Sequence, residues 1–108
     1  MLCGSAHTLL DSLEAGAVGG VLGFACPAPT ACFEICTAWK EREPAIAREK
    51  QQRIAQASKR IVSHYGVPAI KYAQDLNGYY GGPPRLPLLP LAGEAKTEVE
   101  GLMLNLRN

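Results

Sequence analysis

Two cysteines four residues apart, Cys32 and Cys36, and two histidines, His7 and His64, have the widest chemical range of any side chains in this chain. Positions i and i+4 of a helix share a face, so the two thiols could address one metal ion. A structural zinc takes four ligands, however, and neither histidine stands at ligand spacing from the pair. Cysteines of this kind are ordinarily buried thiols, and no metal site is expected. Ser5, two residues before His7, evokes a hydrolase, yet no Gly-x-Ser-x-Gly elbow surrounds it and no base is arranged for Ser5 or Cys3. The glycines of Gly16-Ala-Val-Gly19-Gly20 fall at the start of an expected strand or within it and do not open a helix, so they are no dinucleotide fingerprint. The five lysines, Lys40, Lys50, Lys59, Lys71 and Lys96, all fall on expected helices, mostly on polar faces where nothing desolvates an amine to lower its pKa. No catalytic residue is expected among them, and Lys71 is expected to make a helix-surface or interdomain contact.

The elements that would position these residues begin as β-α-β-α. Residues 1–6 are short and apolar and stop at small residues, as a buried strand does, and residues 8–15 place Leu9, Leu10 and Leu13 on one helical face before Gly16. Residues 17–24 are apolar on both faces without alternation, the pattern of a parallel strand covered on both sides. Residues 31–41 carry Phe33, Ile35, Cys36 and Trp39 in helical spacing, with Pro29 or Thr30 suited to open the helix. A longer helix is expected over 43–65, burying Ile46, Ile54, Ala57, Ile61 and Tyr65, followed by a shorter one over 69–76. Residues 78–91 hold four prolines and read as an extended strap, and a last helix spans 93–106, its acidic start and following Arg107 suiting the helix dipole. The strap contains Pro84-x-x-Pro87 and Pro87-x-x-Pro90, so an interaction protein presenting this motif is the alternative function. Against it, Arg85 lies inside the motif, and Leu86, Leu88, Leu89 and Leu91 favour a strap buried against the protein.

Composition limits what such a chain can do. At 108 residues it is one domain at most, and 11 basic against 10 acidic side chains leave no field for nucleic acid. No apolar run reaches the ~18 residues of a membrane helix, and the amino-terminal stretch has no basic cluster before its apolar residues, so no membrane partner and no leader is expected. Four cysteines are too few for a disulfide framework, and a reduced, cytoplasmic chain is expected. Two parallel strands and one crossover helix cannot hide both faces of a sheet, so the opening reads as part of a larger sheet, truncated at its amino end.

Four segments, Leu-Cys-Gly-Ser-Ala-His at 2–7, Gly-Ala-Val-Gly-Gly-Val-Leu-Gly at 16–23, Gly-Val-Pro-Ala-Ile-Lys at 66–71 and Tyr-Gly-Gly-Pro-Pro-Arg-Leu-Pro-Leu at 80–88, occur in this order. Together they resemble the last third of the dihydrodipicolinate synthase and N-acetylneuraminate lyase family, most closely its 4-hydroxy-2-oxoglutarate aldolase-like members. The resemblance implies an α/β fold: the last two β/α units of a TIM (β/α)8 barrel over residues 1–41 and a helical extension over 42–108. It implies a carbon–carbon lyase that joins a lysine amine to pyruvate or another 2-oxo acid as a Schiff base, with a tyrosine relaying protons and no metal or organic cofactor. That lysine and tyrosine belong to earlier strands of the family, so the isolated chain is expected to be inactive. What it carries is a pocket wall: Gly4 and Ser5 at the end of the seventh strand and Val21 and Leu22 at the end of the eighth, beside the substrate imine. The plainer alternative is that Gly4, Gly19 and Gly20 serve only close packing. The resemblance also implies a homo-oligomer in the full-length form and admits a mitochondrial location as the alternative. Hydroxyoxoglutarate, a 3-deoxyhexulosonate and aspartate semialdehyde all stay open as the substrate or substrate half. At Cys26 the chain departs from its relatives, which are expected to have asparagine there.

Overall fold

Leu2–Cys3 (β1) and Gly19–Gly20 (β2) pair in parallel in the computed structural model, which describes residues 1–104 and 106. Leu2 lies opposite Gly19 and Cys3 opposite Gly20. The ladder continues by one bond at each end, from Val18 N–H to the Met1 carbonyl at 3.0 Å and from Val21 N–H to the Cys3 carbonyl at 2.9 Å. The strands are much shorter than the expected 1–6 and 17–24. A parallel strand is held by ladder bonds along both edges, and here each strand has one neighbour. Beyond the pairing the chain tightens into 3-10 turns, Ala6–Thr8 after β1 and Gly23–Ala25 after β2. Val18 and Val21, expected to be covered on both sides, are 77% and 75% exposed.

The helices follow the sequence more closely. Leu9–Glu14 (α1) buries Leu9, Leu10 and Leu13, and Gly16 at φ +109° turns the chain away after it. Pro29 opens Pro29–Lys40 (α2), where a missing N–H costs nothing; Cys32, Ile35 and Ala38 face inward while Phe33 faces solvent. Pro44–Ser58 (α3) starts the same way. Its buried stripe is Ala47, Ile54 and Ala57, and Ile46, expected inside, is rotated out of it. The helix then widens into a π-helical segment, Lys59–Tyr65, so the expected helix over 43–65 is two conformations in series. The Gly66 N–H to Ile61 carbonyl bond at 2.9 Å is the i→i+5 contact of such a turn. Gly66, at φ +82°, leads into Val67–Leu76 (α4), which starts two residues earlier than the expected 69–76. Glu94–Met103 (α5) is the last helix, three residues short of the expected end, and Arg107 lies outside the described residues.

One core joins β1, the turns and the helices. Leu9, Leu10, Phe24, Ile35, Ile54, Ile61, Val99 and Met103 are each at most 1% exposed and belong to a single cluster. Burying an aliphatic side chain of this size contributes ~2 kcal/mol, so the strand ends are held chiefly by helix packing behind them and not by the two-residue ladder.

The widened segment presents polar side chains to α5. Arg60 Nε donates to Glu98 Oε2 at 2.6 Å and its Nη2 to Glu98 Oε1 at 2.9 Å, while Tyr65 Oη donates to the same Oε1 at 2.7 Å. The Arg60 guanidinium, then the Tyr65 hydroxyl, hold the Glu98 carboxyl down at about 2, against an ordinary 4.5. A depressed carboxylate contributes stability above its unfolded pKa and loses it as pH falls through its folded value. The denaturation midpoint is therefore expected to fall between pH 4.5 and about 2, and Glu98→Gln is expected to flatten that segment of the profile. An unchanged profile in the variant would contradict the assignment.

The strap shows the largest departure in packing. Leu86 is 83% and Leu89 70% exposed, Leu88 is exposed as well, and only Leu91 of the four leucines packs on the core. The Leu88 N–H donates to the Arg85 carbonyl at 3.0 Å, a turn that directs these side chains outward. The same turn interrupts both Pro-x-x-Pro motifs, which need an extended backbone to be read by an aromatic groove. The strap is anchored at its beginning: Gly81 N–H donates to Asp75 Oδ1 at 2.8 Å, and Lys71 Nζ donates to the Gly81 carbonyl at 3.0 Å.

Candidate functional site

Parallel pairing brings the carboxyl ends of β1 and β2 side by side, and with them Gly4, Ser5, Val21 and Leu22. The Val21 N–H bond to the Cys3 carbonyl fixes the height of one end against the other. Gly20 suits the junction, since a Cβ there would stand a tight 3.0 Å from the Cys3 carbonyl oxygen and from Leu22 Cδ2. Gly4 is different: a Cβ would meet nothing within 4 Å, and the residue is exposed. Ser5 is extended, at φ −136° and ψ 128°, and its carbonyl accepts from Thr8 N–H at 3.2 Å, Thr8 Oγ1 at 3.2 Å and Cys3 Sγ at 3.1 Å. Val21 is exposed and Leu22 half-buried. The four residues form an open shelf of backbone, one hydroxyl and two aliphatic side chains.

The shelf has no nucleophile of its own. Lys50 pairs with Glu34, Lys71 holds the strap, Lys96 lies over the Tyr72 ring at 5.2 Å, and Lys40 and Lys59 are exposed on helices. None stands at a strand end. Burial, then the nearby Cys36, pushes the Cys32 thiol up to about 12, and burial raises Cys36 against the lowering effect of Lys40. For Cys3, burial raises the pKa, but the polar groups of Ser12, the Ser5 backbone and Thr8 together outweigh it and leave the thiol lowered. Among the described residues the partners of this thiol, Ser12, Ser5 and Thr8, include no histidine or acid. Among the described residues no three His, Cys, Asp or Glu side chains cluster as a metal site would need, and no helix is long and apolar enough to cross a membrane. His7 lies in the 3-10 turn after Ser5, with a buried Nδ1 that has no hydrogen-bond partner among the described residues.

Two residues with no functional signal in the sequence, Asn77 being legible only as a helix stop, prove to touch the shelf's supports. Gln51, on a polar stretch of α3, bonds to the turn behind Ser5, and Asn77, at the end of α4, bonds to the Pro27 carbonyl.

The sequence pattern of the dihydrodipicolinate synthetase family matches residues 1–105. This chain belongs to that family. It is 33% identical over 105 residues to a 4-hydroxy-tetrahydrodipicolinate synthase of Acidiphilium cryptum, covering 97% of this chain and 36% of the relative. A second enzyme of that name, from Gluconacetobacter diazotrophicus, is 32% identical over 98 residues, covering 91% of this chain and 33% of the relative. Among solved structures, a protein from Pseudomonas aeruginosa described as a dihydrodipicolinate synthetase superposes with a TM-score of 0.87 at 26% identity, over 98% of this chain and 37% of its own. YagE, a prophage protein of the dihydrodipicolinic acid synthase family from E. coli K12 solved in complex with pyruvate, superposes with a TM-score of 0.78 at 25% identity, over 97% of this chain and 36% of its own. The chain thus spans about 36% of the length of the relatives it matches. As a dihydrodipicolinate synthetase family member it has the fold of one part of such a barrel protein, mostly helical with a two-stranded parallel sheet. Cys26, where the resemblance predicts asparagine, is exposed on the loop after Gly23–Ala25.

Proposed function

We propose that this chain forms the last two β/α units and the helical extension of a Schiff-base aldolase, and that its two strand ends wall the pocket for pyruvate or another 2-oxo acid. The observation that carries the reading is the parallel register, which sets Gly4–Ser5 beside Val21–Leu22 at the carboxyl face, where active sites of such barrels lie. Gly4 leaves room for close approach of a ligand, the hydroxyl of Ser5 offers a donor to a carboxylate, and Val21 and Leu22 give an apolar wall. The pyruvate bound to YagE supports the choice of ligand class. In this reading the amine that attacks the 2-oxo carbon comes from outside residues 1–108. Attack and loss of water give an iminium that accepts the electron pair of the breaking carbon–carbon bond. The shelf binds and orients; it moves no proton itself.

Borohydride reduction in the presence of pyruvate tests this. The 108-residue chain alone is expected to keep its mass, while the full aldolase polypeptide carrying this segment, captured with an antibody to residues 78–91, gains one reduced pyruvate on a lysine outside it. A trapped adduct on Lys40, Lys50, Lys59, Lys71 or Lys96 would refute the proposal.

A further inference from the structure

The helical extension reaches back to the loops behind the shelf through two side-chain amides. α1 begins with a Leu10 N–H that no preceding carbonyl of the helix can accept, and Thr8, the residue before the helix, makes no capping bond. The Thr8 hydroxyl donates to the Ser5 carbonyl instead. The missing acceptor comes from α3: Leu10 N–H donates to Gln51 Oε1 at 2.7 Å, and Gln51 Nε2 donates to the Ala6 carbonyl at 2.9 Å. One carboxamide thereby satisfies the Leu10 donor and adds a second bond to the Ala6 carbonyl, which already accepts from Leu9 N–H, in the turn that follows Gly4 and Ser5. At the other strand, Asn77 Nδ2 donates to the carbonyl of the fully buried Pro27 at 2.7 Å, just past the turn that follows Leu22. Both contacts join residues more than 40 positions apart in the chain.

We propose that Gln51 and Asn77 are the positioning residues of the strand-end shelf, each fixing the loop behind one of its two walls, so that the helical extension sets the shelf's shape. The shelf's purpose as a pocket rests on the function proposed above; the tethering of the two loops stands without it. A carboxamide is required at Gln51 because the same side chain must accept from Leu10 and donate to Ala6. A carboxylate keeps the first bond and loses the second.

Amide hydrogen exchange and chemical shifts of the 108-residue chain test the proposal. Gln51→Ala is expected to speed exchange at Leu10 by about tenfold or more while Val99 and Met103 in α5 keep their rates. Gln51→Glu, with its carboxylate ionised above about pH 6, is expected to return protection to Leu10 but to leave the Ala6–His7 peptide group shifted. Asn77→Ala is expected to shift the amides of residues 23–28 and leave Leu10 protected. Unchanged exchange at Leu10 in Gln51→Ala, acceleration spread evenly over all five helices, or unshifted amides at 23–28 in Asn77→Ala would each overturn it. A failure of the pyruvate trap leaves these exchange patterns as they are, so the two readings fail separately.

Discussion

Gly81→Ala is expected to destabilise the protein by ~2 kcal/mol in urea or thermal denaturation. A Cβ at Gly81 would stand 2.0 Å from the Lys71 carbonyl oxygen and 2.6 Å from its carbon, and both atoms are backbone of α4 that no rotamer change can move aside. The strap must lift away, and with it go the bond from Gly81 N–H to Asp75 and the bond from Lys71 Nζ to the Gly81 carbonyl. Losing such bonds costs ~1 kcal/mol each where the partners stay shielded from water. Gly101→Ala is the matched control, because Gly101 lies in α5 with nothing within 4 Å of its Cβ position. Removing glycine's backbone freedom from a helix is expected to raise stability there by ~0.5–1 kcal/mol. Equal stability of Gly81→Ala and the parent would show that the strap does not sit against α4.

Gly4→Leu separates binding from folding. The position is exposed, its backbone is outside the left-handed region and no atom lies within 4 Å of a new Cβ, so stability is expected to change by less than ~0.5 kcal/mol. Under the proposed function, in a longer polypeptide carrying this segment, the leucine would project over the shelf proposed to bind the 2-oxo acid. A loss of ~100-fold in kcat/KM is expected, equivalent to ~2.7 kcal/mol of transition-state binding. Retained activity with retained fold would leave Gly4 as a packing glycine and nothing more.

What was legible in the sequence was local. Pro29 and Pro44 mark two helix starts because a first-turn proline acts within its own turn, and Leu9, Leu10 and Leu13 reveal their common face by spacing alone. The strand lengths were not legible, because the apolar run through Val18, Val21 and Leu22 reads as a strand covered on both sides, whereas the described sheet has two strands and leaves Val18 and Val21 exposed. The switch to π geometry at Lys59 adds less than one residue per turn over a seven-residue segment, which hydrophobic periodicity cannot register. The leucines of the strap misled because residue type reports a preference for burial, while the turn at Arg85–Leu88 decides direction. Gly4, Ser5, Val21 and Leu22 were placed by the likeness of whole segments to a family and not by any spacing among the four. Gln51 and Asn77 could not be found that way, since a lone amide on a polar face has no pattern until the fold brings its partner close.

The most direct measurement is a crystal structure of the proposed full-length aldolase carrying this segment, after pyruvate has been trapped on it by borohydride. The account predicts the reduced pyruvyl group within van der Waals contact of Gly4–Ser5 and of Val21 or Leu22, attached to a lysine outside residues 1–108. A pyruvyl group bound away from the two strand ends, or carried by one of the five lysines of this chain, would contradict it.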